Sequence, residues 1–313
     1  MPSWISRACV CTWLISSSSV SARTVAPQGQ FTILLICRPP FNFAPTVRSW
    51  CCERVGNRLE TTRFYLTGRV LIEAGQLVID EAELGGRQGR LLLAYLVLER
   101  RRPAPLEDLI DLVWPENPPG AALTSIRALV SRLRRSLDRS GFSHDALTTA
   151  SGCLQLRLPG KAGWVDFETA ATSVDAAEGK LRHDQAAEAF GFATTANAIA
   201  ARDFLPGETA PWAVGRRAEL RRIRIRAMEA IIDTMCRLKQ WSVGVKVAED
   251  LVALEPLRET AYGWLMRANA GSGNRAEALR AYHRCRSILG EELGVSPSRE
   301  LESVFESMLR PTR

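Results

Sequence analysis

The 313-residue chain has no long apolar run; the longest candidate, Phe31–Cys37, is far too short to cross a bilayer. A membrane-spanning helix needs about 20 apolar residues, so none is expected, and no membrane partner. Histidine is scarce, with only His144, His183 and His283, each standing alone. The eight Cys include only two close pairs, Cys9-x-Cys11 and Cys51-Cys52, neither spaced as a zinc site requires. No metal or other cofactor is expected. No Gly-x4-Gly-Lys-Ser/Thr phosphate loop occurs, and no nucleophile stands with a base and an orienting partner, so the chain does not read as an enzyme. The first 63 residues also lack the acidic strand ends of a phospho-acceptor receiver domain.

A broad excess of charge is missing too. The formal net charge is +7, yet residues 64–160 carry 12 Lys+Arg against 11 Asp+Glu, and residues 161–313 carry 22 against 21. Residues 1–63 hold the imbalance, with 7 against 2. A diffusely basic polyanion binder is therefore excluded, and any polyanion site must be a local cluster.

Residues 1–63 differ from the rest. They hold five of the eight Cys, Ser16–Ser19, Pro39-Pro40, and no amphipathic period. A secretory signal (Arg7, an apolar stretch from Ala8 to Ile15, then Val20-Ser21-Ala22) is one reading. The reading adopted is a disordered or non-native extension, with a start near Val55 expected. The later Cys153, Cys236 and Cys285 read as small hydrophobes in a reducing cytoplasm, and a nucleoid-associated location is expected.

From Phe64 the pattern becomes regular. Phe64–Gly68 and Gln76–Asp80 are short β-rich runs around Gly75, read as a hairpin. Leu91–Leu98 is a broad apolar helix. A second helix runs from near Pro105, with Leu106, Leu109, Ile110 and Val113 on one face. Trp114-Pro115 ends it, because the residue before proline is driven from helical geometry. An irregular loop, Pro115–Gly120, follows. The third helix, about Ala121–Leu137, puts Ile126, Val130, Leu133 and Leu137 on one narrow face. Its remaining surface carries Thr124, Arg127, Ala128, Ser131, Arg132, Arg134 and Arg135. Residues 121–140 hold five Arg against one Asp, the local cluster that the whole chain lacks. Arginine can reach guanine bidentately or clamp phosphate, and small neighbours let the helix approach base edges. A hairpin pattern over Leu147–Leu158 follows. Strands, three helices with the third basic, then a hairpin define a winged helix-turn-helix over 64–160.

Three segments carry a resemblance: Gly86-Arg87-Gln88-Gly89-Arg90-Leu91-Leu92, Leu109-Ile110-Asp111-Leu112-Val113-Trp114, and Ala128–Leu137. They resemble the DNA-binding domain of the SARP-type activators, the actinobacterial antibiotic regulatory protein family, departing at Cys153, where the family's wing usually carries an aromatic. The resemblance implies that the third helix enters the major groove. Thr124, Arg127, Ala128, Ser131, Arg132 and Arg135 are then the base-reading residues. Arg87, Arg90, Arg134 and Arg157 are phosphate contacts, and Glu116 and Asn117 lie in a loop facing RNA polymerase. It also implies promoter double-stranded DNA with direct repeats as target, two copies lying about one helical turn (roughly 10–11 bp) apart, and a homodimer on that DNA.

Beyond Gly163 the chain is Ala-rich and shows no β pattern. Ala227/Ala261, Ile231/Leu265, Ile232/Met266, Gly244/Ala278, Ala248/Tyr282, Leu251/Cys285 and Leu254/Ile288 recur at a period of 34. That is the length of a tetratricopeptide helix–turn–helix. A degenerate unit, about Phe167–Glu178 and Gln185–Arg202, precedes it, and a helix over about Ser298–Leu309 caps the stack. Leu251–Glu259 and Gly273–Pro297 resemble the bacterial transcriptional activator domain of the same family. The expected fold is mainly α: a winged helix-turn-helix, then an all-α tetratricopeptide-like domain over 164–310. The basic run Arg216, Arg217, Arg221, Arg222, Arg224 and Arg226 reads as the solvated face of an amphipathic helix or as a polymerase- or phosphate-facing strip. The expected function is a DNA-binding transcriptional activator; the rival is a helical-repeat adaptor whose winged helix binds no DNA.

Overall fold

The computed structural model describes residues 62–158 and 163–309. The expected extension therefore lies outside the described residues, except for Thr62 and Arg63, which begin strand β1 (Thr62–Tyr65). The expected hairpin is a three-stranded meander of β1, β2 (Leu71–Ala74) and β3 (Leu77–Ile79). Gly68 and Gly75 both take the left-handed conformation, φ 74° and 58°, so the chain turns twice where one turn was expected.

A short helix, α1 (Glu81–Leu84), follows, its N-terminus capped by the Asp80 side chain, which accepts from the N–H groups of Ala82 and Glu83. Helix α2 (Gly86–Leu98) starts at once beyond Gly85, whose φ of 107° makes the corner. Gly89 lies where α1 abuts α2, and an added Cβ would collide with the backbone carbonyl of Leu84. Backbone cannot step aside as a side-chain tip can. Gly89→Ala is therefore expected to destabilise the chain by about 1–3 kcal/mol, read from its urea midpoint; an unchanged midpoint contradicts this packing.

Strand β4 (Ala104–Pro105) leads into α3 (Leu106–Val113), and Trp114 ends it as expected. Helix α4 (Ala122–Arg139) buries Ile126, Val130, Leu133 and Leu137. A short 3-10 turn (His144–Ala146) leads to the wing, formed by β5 (Leu147–Ala150) and β6 (Cys153–Leu156). Ser151 and Gly152 both have positive φ, 49° and 75°, as a two-residue type I′ hairpin demands. The wing sheet has the order β4-β6-β5.

Residues 163–165, expected to open an all-helical domain, instead form β7 (Gly163–Val165), parallel to β1, giving a sheet of order β3-β2-β1-β7. Three residues are too few to display a two-residue period. Helices α5 (Asp166–Arg182), α6 (Ala186–Ala200), α7 (Pro211–Arg237), α8 (Trp241–Leu254), α9 (Glu259–Gly271), α10 (Arg275–Leu293) and α11 (Arg299–Leu309) complete the chain. Pro211 occupies the first turn of α7, where its missing N–H costs nothing.

The repeat is visible in the coordinates. Both members of six of the seven pairs 34 residues apart are buried, and both members of the seventh, Leu254/Ile288, are half-buried. Gly244 is buried against its neighbours: an added Cβ would meet Met235 at 3.6 Å and Ala268 at 3.7 Å, ordinary contact, as the alanine at the equivalent position 278 agrees. The turns match as well. Gln240 and Asn274 enter their helices at φ −89°, ψ 59° and φ −91°, ψ 57°. Gln185 of the degenerate unit does so at φ −94°, ψ 56°. Each follows a residue of positive φ: Lys239, Gly273 and Asp184.

One apolar cluster runs through both parts of the fold. Phe64, Ile72, Leu92, Ile126, Leu133 and Leu154 belong to it, as do Phe167, Phe204 and Leu220. A second cluster runs from α7 to α11 around Tyr262, Met266 and Cys285. Of the later cysteines Cys285 is buried, whereas Cys153 and Cys236 are half-buried. Among the described residues, no helix is long and apolar enough to cross a membrane.

Candidate nucleic-acid interface

Helix α4 is amphipathic because its apolar residues recur at three- and four-residue steps, and the core takes that face. All six residues expected to read bases, Thr124, Arg127, Ala128, Ser131, Arg132 and Arg135, are exposed. At 3.6 residues per turn they fall within an arc of about 140° and span about 17 Å along the axis. A major groove roughly 12 Å wide admits an α-helix. Among the described residues, no carboxylate pairs with Arg127, Arg132 or Arg135, although salt bridges engage many other arginines. Arg135 Nε makes only a long 3.4 Å bond to the Ser131 carbonyl of its own helix.

The buried face is broader than the sequence pattern suggested, since Leu129 is also buried. Helix α1, not anticipated from the sequence, covers it. A Cβ on Gly85 would lie 3.2 Å from Leu129 Cδ2 and 3.3 Å from Arg132 Nη1, so the Arg132 stem runs over the α1–α2 corner. Arg139 is tied down there as well, by an ion pair with Glu83.

The residues expected on phosphate divide. Arg157 is exposed at the end of the wing. Arg87 instead donates from Nε (3.1 Å) and Nη2 (2.7 Å) to the Glu208 carboxylate, whose side chain is fully buried. Arg90 donates to the Pro206 carbonyl at 2.8 Å and pairs with Glu81, leaving 12% of its side chain exposed. Both guanidinium groups thus bind the loop before α7. Nothing local in the sequence marks this, because the partner Glu208 is 121 residues away. Arg134 also points elsewhere: Nε donates to the Leu147 carbonyl (3.0 Å) and Nη2 to Thr149 Oγ1 (2.8 Å). Glu116 and Asn117 are exposed in the 115–120 loop.

The residues just after α2 are bolted to the helical part in the same manner. Arg100 grips the Glu168 carboxylate with both Nη atoms, at 2.5 and 2.8 Å. Glu99 accepts from Trp212 Nε1 (3.2 Å) and pairs with Arg216. Burial raises the Glu99 pKa, but bonds from Arg216 and Trp212 outweigh it and hold the carboxyl below its usual range. Glu208 behaves alike: burial pushes it up, and Arg87 with the backbone N–H groups of Ala210 and Thr209 brings it below. The basic run on α7 is accordingly mostly paired. Arg216, Arg217, Arg221 and Arg226 all find carboxylates. Leu220, Ile223 and Ile225 between them are buried, as an amphipathic helix requires, and Arg221 and Arg222 stay exposed.

A basic helix with an exposed arginine row presented beside a hairpin wing, on a sheet shared with a helical-repeat array, defines a winged helix-turn-helix protein of two-part organisation. Sequence comparison agrees. The family described as "Transcriptional regulatory protein, C terminal" matches residues 81–153, and "Bacterial transcriptional activator domain" matches 165–309. The chain belongs to the SARP-type family. It is 31% identical over 258 residues to the regulatory protein AfsR of Streptomyces griseus, covering 80% of this chain and 25% of that protein. It is 28% identical over 232 residues to the regulatory protein DnrI of Streptomyces peucetius, covering 72% and 84%. The chain thus spans about a quarter of the AfsR relative's length. The solved structure of Mycobacterium tuberculosis EmbR in complex with a low-affinity phosphopeptide superposes with a TM-score of 0.74 at 24% identity, over 81% of this chain and 66% of that one. That likeness shows the fold.

Proposed function

We propose that this chain is a sequence-specific transcriptional activator that reads promoter double-stranded DNA with α4. The observation that carries this reading is the exposed row Arg127, Arg132 and Arg135, without carboxylate partners among the described residues. Its neighbours Thr124, Ala128 and Ser131 are short enough to let the helix approach base edges. Arg157 on the wing is positioned for phosphate. The exposed loop with Glu116 and Asn117 is offered to RNA polymerase. Two copies bind direct repeats, as a homodimer on the DNA, in the cytoplasm.

Arg132→Ala is the single-residue test. On a duplex selected by the full chain from a random pool, the loss is expected to be about 1–3 kcal/mol, with relaxed preference at one base position. Equal loss on every sequence, with a salt slope smaller by about one, reassigns Arg132 to phosphate. No loss on any duplex removes it from the interface.

The adaptor reading has one observation in its favour. Two adjoining clefts of about 310 and 370 Å³ on the helical part share Trp264 and Glu229. An adaptor would show no salt-dependent DNA affinity, and the same titration decides between the two.

A further inference from the structure

Two of the five arginines on α4 are committed within the chain. Arg139 binds Glu83. Arg134 binds the wing, and its geometry is that of a fork. Leu147 and Thr149 stand two apart on β5, so the Leu147 carbonyl and the Thr149 hydroxyl fall on the same stretch of strand edge. The Nε–H and Nη2–H of one guanidinium reach both, at 3.0 and 2.8 Å. Leu147 and Thr149 in turn pair with Leu156 and Leu154 on β6, so the fork grips the whole hairpin. Lysine has no rigid pair of donors and cannot replace it.

We propose that Arg134 is a positioning residue that locks the wing to the recognition helix, so that the spacing between the bases read by α4 and the DNA touched by the wing is set before DNA arrives. This rests on the DNA-reading role of α4 proposed above. Its consequence is a preorganised reader: the hairpin need not be ordered at the moment of binding, and duplexes whose two contact regions are out of phase are rejected. The location of Arg134 agrees with this. It is half-buried between the exposed row and the core face, whereas Arg127, Arg132 and Arg135 are exposed.

The test uses the full chain and the pool-selected duplex with Arg134→Ala, Arg134→Lys, Thr149→Val, and Arg134→Ala combined with Thr149→Val. Arg134→Ala is expected to weaken binding about tenfold, the worth of one charge-assisted hydrogen bond. The salt slope stays unchanged, and hydroxyl-radical protection at the wing flank is lost while guanine N7 protection under α4 remains. Lysine does not rescue. Thr149→Val gives a smaller loss, and the double variant is no worse than Arg134→Ala alone. A salt slope reduced by about one, with a silent Thr149→Val, makes Arg134 a phosphate contact and overturns the proposal. A readout in free protein separates this from the parent reading: amide exchange over 147–156 is expected to quicken in Thr149→Val and Arg134→Lys and to stay unchanged elsewhere. Unchanged exchange in the hairpin overturns the lock. Absence of DNA affinity in the unmodified chain, with quickened exchange in the variants, removes the DNA-reading role and keeps the lock.

Discussion

Asp166→Ala is expected to lower the stability of the chain by about 3–5 kcal/mol, because it strands several buried donors that each cost about 1–3 kcal/mol when unpaired. The Asp166 side chain is fully buried. Its Oδ1 accepts from the N–H groups of Leu66 (3.0 Å) and Phe167 (2.7 Å). Its Oδ2 accepts from Thr67 N–H at 3.0 Å and from Thr67 Oγ1 at 2.7 Å. The carboxylate also sits in the first turn of α5, where the helix dipole favours negative charge. One side chain thereby fastens the end of β1, in the winged-helix part, to the start of the helical array. Asp166→Asn keeps only one carbonyl oxygen and is expected to lie between the two. Urea unfolding of the full chain measures this; a loss below about 1 kcal/mol for alanine would show that the carboxylate is not the latch.

The second large effect is on binding. Replacing Arg127, Arg132 and Arg135 together with alanine is expected to weaken binding to the pool-selected duplex by at least about 100-fold, since each base or phosphate contact is worth roughly 1–3 kcal/mol. The melting temperature should barely change, because none of the three has a carboxylate partner in the described residues and all three side chains are exposed. The contrast with Arg87 is instructive. Arg87→Ala leaves the buried Glu208 carboxylate without its guanidinium partner, so it is expected to lower the melting temperature. A triple variant that binds as tightly as the unmodified chain would place the interface elsewhere.

The order of elements was legible in the sequence wherever the hydrophobic period ran for two turns or more. Helices α3 and α4 and the wing hairpin lie where Leu109-Ile110, Ile126–Leu137 and Ser151-Gly152 put them. The repeat was legible because burial repeats every 34 residues along with residue type. What stayed hidden was short or distant. Helix α1 has four residues and β7 has three, too few for a period to show. Thus Leu129 reads as a surface leucine until α1 is seen to cover it. The fate of each arginine was hidden for a different reason. A charge on a helix face is equally compatible with solvent, phosphate or a carboxylate far away in sequence. Arg87 with Glu208 and Arg100 with Glu168 are 121 and 68 residues apart. Only the fold decides between these, and it leaves the row on α4 free while engaging most of the others.

The most direct measurement is dimethyl sulfate protection of guanine N7 on the pool-selected duplex with the full chain bound. N7 lies in the major groove, so a helix seated there shields it. The account predicts protected guanines within the selected motif, with protection lost at one position in Arg132→Ala. Tight binding with every N7 as reactive as in free DNA would contradict it.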